Sequence, residues 1–432
     1  MKGKLSCEKL IHYVHTVFSK IQDEAKRSSS NGIKLIDCLM SGFAMFHLKY
    51  ESLLQFDQNF RDDRLSHNLN KLYWVNNVPC DTYLRTRLDR VSIRDLRRVF
   101  KILFSLFQRS KFLKLFEFFP QEYILALDGT GVFSSNMVHC KNCCEKISKD
   151  GTVTYYHQIL AGAIVHPNYK TVIPFAPEPI IKEDGATKND CERNAAYRFL
   201  DDLKREHPHL KLIMTADSLF ANGPFLKRLK ADEHRYIIIA QEKDHKYLLN
   251  EFRTLAKEEY VKKIHDFTHR FRLMNGLAIN DSHHDCQVNV LEYWETDSKG
   301  NEKHWVWVTN IWLTKDNVYQ VMRGGRSKWK IENETFNTLK TQGYQFEHNF
   351  GHGNDQLSSV FTYLMMLAFF VNQLQELCCK TFKEAIERLG SKKALWRKQR
   401  SYFDGFYINS WDDLILALAK GHVWHPLLPN TS

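Results

Sequence analysis

The chain has 432 residues, 43% hydrophobic and 26% charged, a composition typical of a folded protein and unlike that of disordered, collagen-like or simple coiled-coil chains. Its longest apolar run, residues 360–371, is shorter than the ~20 residues that span a bilayer, and residues 1–8 lack the apolar core of a signal peptide. We therefore expect a cytosolic protein without a membrane span, in which the 10 cysteines are mostly reduced thiols.

Positive charge exceeds negative charge and is unevenly distributed. The 61 Lys and Arg residues outnumber the 50 Asp and Glu residues, for a formal net charge of +11. Cations dominate residues 85–114 and residues 380–400, each of which contains only two acids. Such runs are often solvated helix faces, but two of them in one basic chain favour contact with nucleic acid.

The first 120 residues have apolar side chains at helical spacing, as in 10–21 and 99–107. The pattern predicts an all-helical domain over residues 1–120. Because the first basic run lies in this domain, we expect it to bind DNA, with Arg94, Arg97 and Arg98 among the contacts.

Short strands follow the helical segment. Residues 123–127 predict a buried strand that ends at Asp128, and residues 155–166 and 171–175 predict two more. Next come a helix over about 189–206, a strand over 210–216 that leads to Asp217, a helix to about 231 and a strand over 236–240. This element order is that of an RNase H-like mixed α/β sheet.

The pattern changes again after residue 241. A polar, helix-capable stretch reaches about residue 272, and residues 286–294 and 304–313 predict a hairpin around a Gly-containing turn. Helices are predicted over 328–341 and 357–377. The resulting plan is a helical DNA-binding domain (1–120), a core in two parts (121–250 and 313–378), a β-rich insertion (251–312) and a helical C-terminal tail (379–432).

Three acids are candidates for a catalytic site. Asp128 and Asp217 each follow a buried strand, although an acid in that position often only forms a turn or caps a helix. Glu332 shares a helical face with Phe336 and Leu339, a pattern that would pack its helix onto the sheet. Three clustered carboxylates require neutralising cations, and oxygen ligands suit Mg²⁺ or Mn²⁺. Two such ions about 4 Å apart drive in-line attack on a phosphodiester.

Four segments carry a resemblance to a known family. They are residues 125–130 (LALDGT), 215–220 (TADSLF), 308–311 (VTNI) and 328–332 (KWKIE). In order and context they resemble the bacterial insertion-sequence transposases that have an Asp-Asp-Glu triad on an RNase H-like fold, in the cut-and-paste group with a β-rich insertion before the last acid. The last segment is similar to the Tyr-Arg-Glu-Lys signature of that group. The resemblance covers residues 123–377.

The resemblance implies a DNA transposase that hydrolyses element ends at terminal inverted repeats and transfers the 3′-hydroxyl into target DNA. Asp128, Asp217 and Glu332 would hold two Mg²⁺ (or Mn²⁺) ions, and Arg326, Lys328 and Lys340 would contact DNA. The protein would act as a homodimer on double-stranded DNA and associate with the nucleoid. In this group an aromatic of the insertion stacks on a flipped base, so the candidates are Trp305, Trp307 and Trp312, which otherwise pack the hairpin onto the core.

The signature differs from that of the family at several positions. Lys328 occupies the place of the signature Arg, Gly325 that of the Tyr, and Lys340 comes one residue after the expected Lys. Glu334 is therefore an alternative third acid, although the order Trp329-x-Ile331-Glu332 favours Glu332.

Two other functions are compatible with the same residues. One is a transposase-derived DNA-binding protein that no longer cuts DNA, which the presence of all three acids argues against. The other is an RNase H-like nuclease not involved in transposition.

A second group of residues suggests metal binding. Cys140, Cys143 and Cys144 form a CxxCC motif, but a zinc site needs four ligands and no second CxxC follows. His157 or Cys191 would have to be recruited by the fold, and the turn-rich setting of His352 favours loop polarity over ligation. The sequence therefore favours unpaired thiols over structural zinc.

Two further acids have a structural explanation and are not expected to be catalytic. Asp190 and Glu192 lie in the first turn of a predicted helix, where the macrodipole explains them.

Overall fold

The computed structural model describes residues 5–23, 32–59, 62–182, 190–256 and 258–421. Within them, six helices precede the first strand: α1 (Cys7–Phe18), α2 (Leu35–His47), α3 (Leu53–Asn59), α4 (Asp63–Tyr73), α5 (Asp81–Leu88) and α6 (Ile93–Arg109). Each longer helix buries an apolar stripe, as α1 does with Leu10, Ile11 and Val14. Ser6 caps α1 by accepting a hydrogen bond from the Lys9 amide.

A mixed sheet follows, with helices packed against it. Its first strands are β1 (Glu117–Phe119), β2 (Glu122–Ser135), β3 (Cys144–Ile147), β4 (Val153–His166), β5 (Tyr169–Pro174), β6 (Glu178–Ile180), β7 (Lys211–Thr215) and β8 (Arg235–Ile239). Helix α7 (Glu192–Glu206) precedes β7, and α8 (Gly223–Ala231) precedes β8. Strand β2 pairs antiparallel with β4 and parallel with β7, and β7 pairs parallel with β8. The strand order across the sheet is therefore β4, β2, β7 and β8, and both β3 and β5 also pair with β4.

The segment after β8 extends this sheet. Helix α9 (Lys246–Leu255) leads into β9 (Glu259–Ile264), β10 (Phe267–Ala278), β11 (Gln287–Thr296) and β12 (Glu302–Thr309), which form an antiparallel meander. Strand β12 pairs antiparallel with β8, so the meander and the core share one sheet. The prediction of a helix-capable stretch to residue 272 was wrong beyond Leu255. Within 267–273, Phe271 is buried between less buried Arg270 and Arg272, which is the period of a strand.

The chain then returns to the core through helices. These are α10 (Val318–Arg326), a π-helical turn (Ile331–Phe336), α11 (Asn337–Thr341) and α12 (Leu357–Cys378). Helix α12 is long and apolar enough to cross a membrane, yet 89% of its most apolar window is buried inside the protein. It packs against α2, α6 and β5 and so joins the N-terminal helices to the sheet.

The last three helices complete the N-terminal helical layer. They are α13 (Lys380–Leu389), α14 (Lys392–Gly405) and α15 (Trp411–Lys420). Trp411 is buried and donates a hydrogen bond from Nε1 to the carbonyl of Leu72 at 2.8 Å. Asn68 donates to the carbonyls of Phe403 and Phe406, each at 2.7 Å. The C-terminal segment is thus built into the same core as residues of the first 120.

Several predicted element ends differ from the structure, among them the end of the strand predicted over 304–313, which stops at Thr309. Strand β2 continues to Ser135, because it pairs with β4 along its whole length, so Asp128 lies within the strand and not at its end. Helix α7 begins at Glu192; residue 189, where the sequence placed its start, lies outside the described residues.

Candidate active site

The three predicted acids come from three different elements that meet at one place. Asp128 lies in β2, Asp217 follows β7, and Glu332 lies in the π-helical turn. Because β2 and β7 are parallel neighbours, their aspartates emerge on adjacent strands. The Asp128 side chain is largely buried, whereas those of Asp217 and Glu332 are about half exposed. The arrangement therefore opens to solvent on one side.

The ammonium group of Lys328 lies among the three carboxylates. Its Nζ is 3.3 Å from Oδ2 of Asp128 and 2.9 Å from Oδ1 of Asp217, and it also donates a hydrogen bond to Oε1 of Glu332. Glu334, the alternative third acid, interacts electrostatically with Lys330 instead. The geometry thus brings Glu332, and not Glu334, to the two aspartates.

The charges of this cluster shift the pKa values of its members. Burial raises the pKa of Asp128 to about 6, Lys328 opposes the shift, and the nearby charges of Asp217 and Glu332 add to it. Burial alone would lower the pKa of Lys328, but its hydrogen bond to Glu332 and the charges of the two aspartates outweigh burial and raise that pKa. The three carboxylates therefore form a site with a strong electrostatic preference for positive charge.

A fourth carboxylate, Glu192, lies beside the cluster, although its place in a first helical turn predicted no catalytic role for it. Its Oε1 accepts a hydrogen bond from Nε2 of Gln158 at 2.7 Å, and its carboxylate fills the space that a side chain at Gly129 would occupy. Burial raises the pKa of Glu192, Gln158 opposes the shift, and the charge of Asp217 adds to it. The signal in the sequence was the glycine after Asp128, which allows another group to approach the strand closely.

A cavity of about 410 Å³ adjoins the acids. Its lining includes Asp217, Ile239, Trp305, Trp307, Gly325, Arg326, Lys328, Trp329 and Glu332. Trp307 is fully buried, whereas Trp305 is partly exposed and lies under the Arg326 guanidinium, whose centre is 4.7 Å from the ring. Trp312 is 67% exposed and is not part of the lining. Trp329, predicted only as part of the signature segment, also lines the cavity.

The structure contradicts the prediction that Arg97 contacts DNA. Its side chain is buried and forms ion pairs with Glu178 (3.4 Å), Asp202 (2.9 Å) and Glu206 (3.4 Å). Spacing carried a signal for this, because Arg97 lies three and seven residues before the buried Phe100 and Phe104 and so shares the apolar face of α6.

The phosphate contact predicted for Lys328 also disagrees with the structure. Its side chain is 6% exposed and its ammonium is surrounded by the carboxylates of Asp128, Asp217 and Glu332, which hold it inside the site.

The other predicted DNA contacts lie at the surface or close to it. Arg94 and Arg98 are exposed, and Arg98 pairs with Asp95 at 3.3 Å. Arg326 donates to Glu295 and borders the cavity, whereas Lys340 pairs with Glu347 at 2.7 Å.

Arg94 also borders a groove of about 820 Å³ between the helical layer and the sheet. Three other cations, Arg90, Lys141 and Lys182, line the same groove. Asp89 and Asp355 also line it, and Lys141 pairs with Asp355 at 2.8 Å, so four cations face two acids in a groove, called here the basic groove, that both parts of the molecule share.

Comparison with known proteins shows which family this chain matches. The profile of the family described as "Transposase DDE domain" matches residues 121–370, which include all three acids and Lys328. A search of curated proteins found no match. Among solved structures, the fold is similar to piggyBac transposase in a cryo-EM structure of its synaptic complex with hairpin DNA, with a TM-score of 0.42 and 11% identity over 98% of this chain and 82% of that one.

Proposed function

Because this chain belongs to the transposase DDE-domain family, we propose that it cuts DNA at the ends of a mobile element and joins the freed 3′-hydroxyl to target DNA. Asp128, Asp217 and Glu332 are the proposed catalytic acids. The observation that carries the proposal is the convergence of these three carboxylates, from separate elements, on the single Lys328 ammonium. The strand order around β2 supports an RNase H-like core, in which the antiparallel strands β2, β4 and β5 are followed by the parallel strands β7 and β8.

The donor set fits Mg²⁺ or Mn²⁺. All three acids supply hard oxygen ligands, and the charges of Asp217 and Glu332 add to the burial that raises the pKa of Asp128, so a bound cation would favour the ionised carboxylates. Two such ions, when bound, would activate the attacking hydroxyl and stabilise the leaving oxygen of the phosphodiester.

The residues of the chain have roles of their own in this proposal. Asp128 is held by the pairing of β2 with β4, two residues beyond the end of its pairing with β7, whereas the half-exposed Asp217 and Glu332 would be open to the substrate. Lys328 keeps the three carboxylates together by neutralising part of their charge. Arg326, which borders the cavity, and Lys340 remain the proposed contacts for phosphates of a DNA strand at the site.

The basic groove extends the proposed DNA path away from the acids. Arg90, Arg94, Lys141 and Lys182 would contact the backbone of the duplex without reading its sequence. Because joining requires two element ends and a target, we propose that a homodimer acts on double-stranded DNA at the nucleoid.

Cleavage of defined DNA ends tests the proposal. The purified chain is incubated with fragments that carry the two edges of its own genomic element, with Mg²⁺ or Mn²⁺, and strand breaks are mapped. Asp128→Asn, Asp217→Asn and Glu332→Gln should each lower cleavage by orders of magnitude while binding in Ca²⁺ persists. Glu334→Gln is the matched control and should cleave normally.

Three results would contradict the proposal. Cleavage that survives Glu332→Gln but not Glu334→Gln would reject the assignment of the third acid. Breaks scattered without regard to the element ends would favour a general nuclease, and specific binding without any cleavage would favour a non-cutting DNA-binding protein.

A further inference from the structure

Two thiols and two imidazoles form a cluster away from the acids. Cys140 and Cys143 belong to the loop between β2 and β3, His157 lies in β4, and His352 lies in the loop before α12. One nitrogen or sulfur atom of each residue lies within 4.8 Å of all the others. The two histidines are 195 residues apart in sequence, so only the fold brings them together.

The distances within the cluster match those of a tetrahedral zinc site. Zinc–sulfur bonds of about 2.3 Å and zinc–nitrogen bonds of about 2.0–2.1 Å imply separations of about 3.8 Å between two sulfurs, 3.5 Å between sulfur and nitrogen, and 3.3 Å between two nitrogens. The Sγ atoms of Cys140 and Cys143 are 3.7 Å apart, and each is 3.4 Å from Nε2 of His157. Nδ1 of His352 is 3.6 Å from Sγ of Cys143 and 3.2 Å from Nε2 of His157.

Backbone hydrogen bonds and flanking glycines orient the side chains of the cluster. The amide of Cys143 donates to the carbonyl of Cys140 at 3.1 Å, and the amide of Cys140 donates to Sγ of Cys143 at 3.3 Å, which closes the CxxC turn. Gly351 and Gly353 have φ of +125° and +65° and flank His352, so the loop can turn its imidazole inward. The third cysteine of the motif, Cys144, instead contacts the carbonyl of Ile180.

We propose that Cys140, Cys143, His157 and His352 bind one structural zinc ion. Four protein ligands close the coordination sphere, and Cys143, His157 and His352 are all buried, which leaves no open position for a substrate. The site therefore has a structural role, separate from the oxygen ligands of the acids.

The ion would hold the loop before α12 against the sheet. The carboxylate of Asp89 accepts hydrogen bonds from the amides of residues 354–357 at the start of α12, so the same loop is tied to the N-terminal helices on its other side. Zinc at the cluster would complete a connection from β4 through this loop to the helical layer. It would also fix Lys141, between two of the ligands, on the wall of the basic groove.

Metal content and cobalt spectroscopy test the proposal on the full chain, purified under reducing conditions without a chelator or a metal-affinity tag. We expect about one zinc per chain by plasma mass spectrometry. Replacement of zinc by Co²⁺ should produce the thiolate charge-transfer band and the intense visible bands of a tetrahedral S₂N₂ site. Cys143→Ser and His352→Asn should each lose the zinc, whereas Cys144→Ser in the same motif should keep it.

Two controls keep the result interpretable. Asp128→Asn should leave the zinc content unchanged, which separates this site from the acids and from the proposed function. If the ligand variants do not fold, release of zinc from the unmodified chain by a thiol-specific reagent provides the readout. A well-folded chain with less than one tenth of an equivalent of zinc and no cobalt charge-transfer band would overturn the proposal, as would a Cys140–Cys143 disulfide in that sample.

Discussion

Lys328 neutralises part of the negative charge of the candidate active site. Its ammonium contacts all three acids, so its removal would leave three carboxylates that repel one another. We expect Lys328→Met to lower the free energy of unfolding by about 1–3 kcal/mol without divalent ions, less than for a fully buried pair because two of the acids are half exposed. Added Mg²⁺ should restore more stability to Lys328→Met than to the unmodified chain, as measured by thermal melting.

A conservative variant separates charge from shape at this position. Lys328→Arg keeps the positive charge and should melt close to the unmodified chain. Equal stabilisation of all three proteins by Mg²⁺ would show that Lys328 and the divalent ions do not act on the same carboxylates.

The raised pKa of Asp128 predicts that the stability of the protein depends on pH. Its pKa is about 6 in the fold and 3.8 ordinarily, so the folded state favours the protonated carboxyl. Its contribution is therefore most favourable below pH 4, weakens as pH rises and is lost above about pH 6, at a cost of about 3 kcal/mol at most, given 1.36 kcal/mol per pKa unit. Asp128→Asn should thus melt higher than the unmodified chain at pH 8 without added divalent ions, and the difference should shrink at pH 5. A difference that does not vary with pH would contradict this assignment.

At the scale of elements, helix α6 carries both a buried arginine, Arg97, and an exposed one, Arg94. Arg97 is buried among Glu178, Asp202 and Glu206, and its loss would leave buried acids without their cation. We expect Arg97→Ala to cost about 3–5 kcal/mol of stability. Arg94→Ala, at the exposed edge of the basic groove, should melt normally and reduce the salt dependence of DNA binding by about 0.9 log–log units.

Measurements on the same two variants can contradict both expectations. If Arg94→Ala leaves the slope of log affinity against log salt unchanged, the groove does not carry the DNA backbone. If Arg97→Ala melts like the unmodified chain, the ion pairs of α6 contribute little to stability.

Strand β12 places two tryptophans with different roles next to the acids. Trp307 is fully buried, so Trp307→Ala should lower stability by about 3–5 kcal/mol. Trp305 is partly exposed on the cavity wall, and an unpaired base that stacked on its ring in place of the Arg326 guanidinium would gain ~1–3 kcal/mol. We expect Trp305→Ala to keep first-strand nicking but to lower double-strand release at the element end.

Trp312→Ala is the matched control for Trp305, because this residue is exposed outside the cavity lining. Both products can be followed on one denaturing gel. Equal release by Trp305→Ala and Trp312→Ala would argue against base stacking in this cavity.

At the scale of the whole molecule, the C-terminal helices belong to the N-terminal layer. Trp411 of α15 is buried against His47 and Tyr73, at ring distances of 5.3 and 5.4 Å. We expect Trp411→Ala to cost about 3–5 kcal/mol and to lower the melting temperature of the whole chain in one transition. Leu416→Ala, at an exposed position of the same helix, should have little effect. A normal melt for Trp411→Ala would show that α15 is dispensable for the fold.

The sequence by itself determined most of the local elements and singled out the three acids. Apolar spacing indicated the helical first segment, the strands around β2 and the hairpin of β11 and β12, because these patterns depend on neighbours a few residues apart. The positions of Asp217 after a strand and of Glu332 in a helix with a signature order could likewise be identified without coordinates, whereas Asp128 was expected at the end of a strand that continues to Ser135.

Only the tertiary structure decided which distant side chains meet. Lys328 contacts Asp128 across 200 residues, His157 meets His352 across 195, and Trp411 reaches Leu72 across 339. For that reason Lys328, which the sequence predicted to contact DNA, is the counter-ion of the acids in the structure. Cys140 and Cys143, which were expected to be unpaired, belong to a four-residue cluster. The physical reason is that burial, ion pairing and metal ligation depend on distances in space, whereas the spacing of residues along a chain encodes only local geometry.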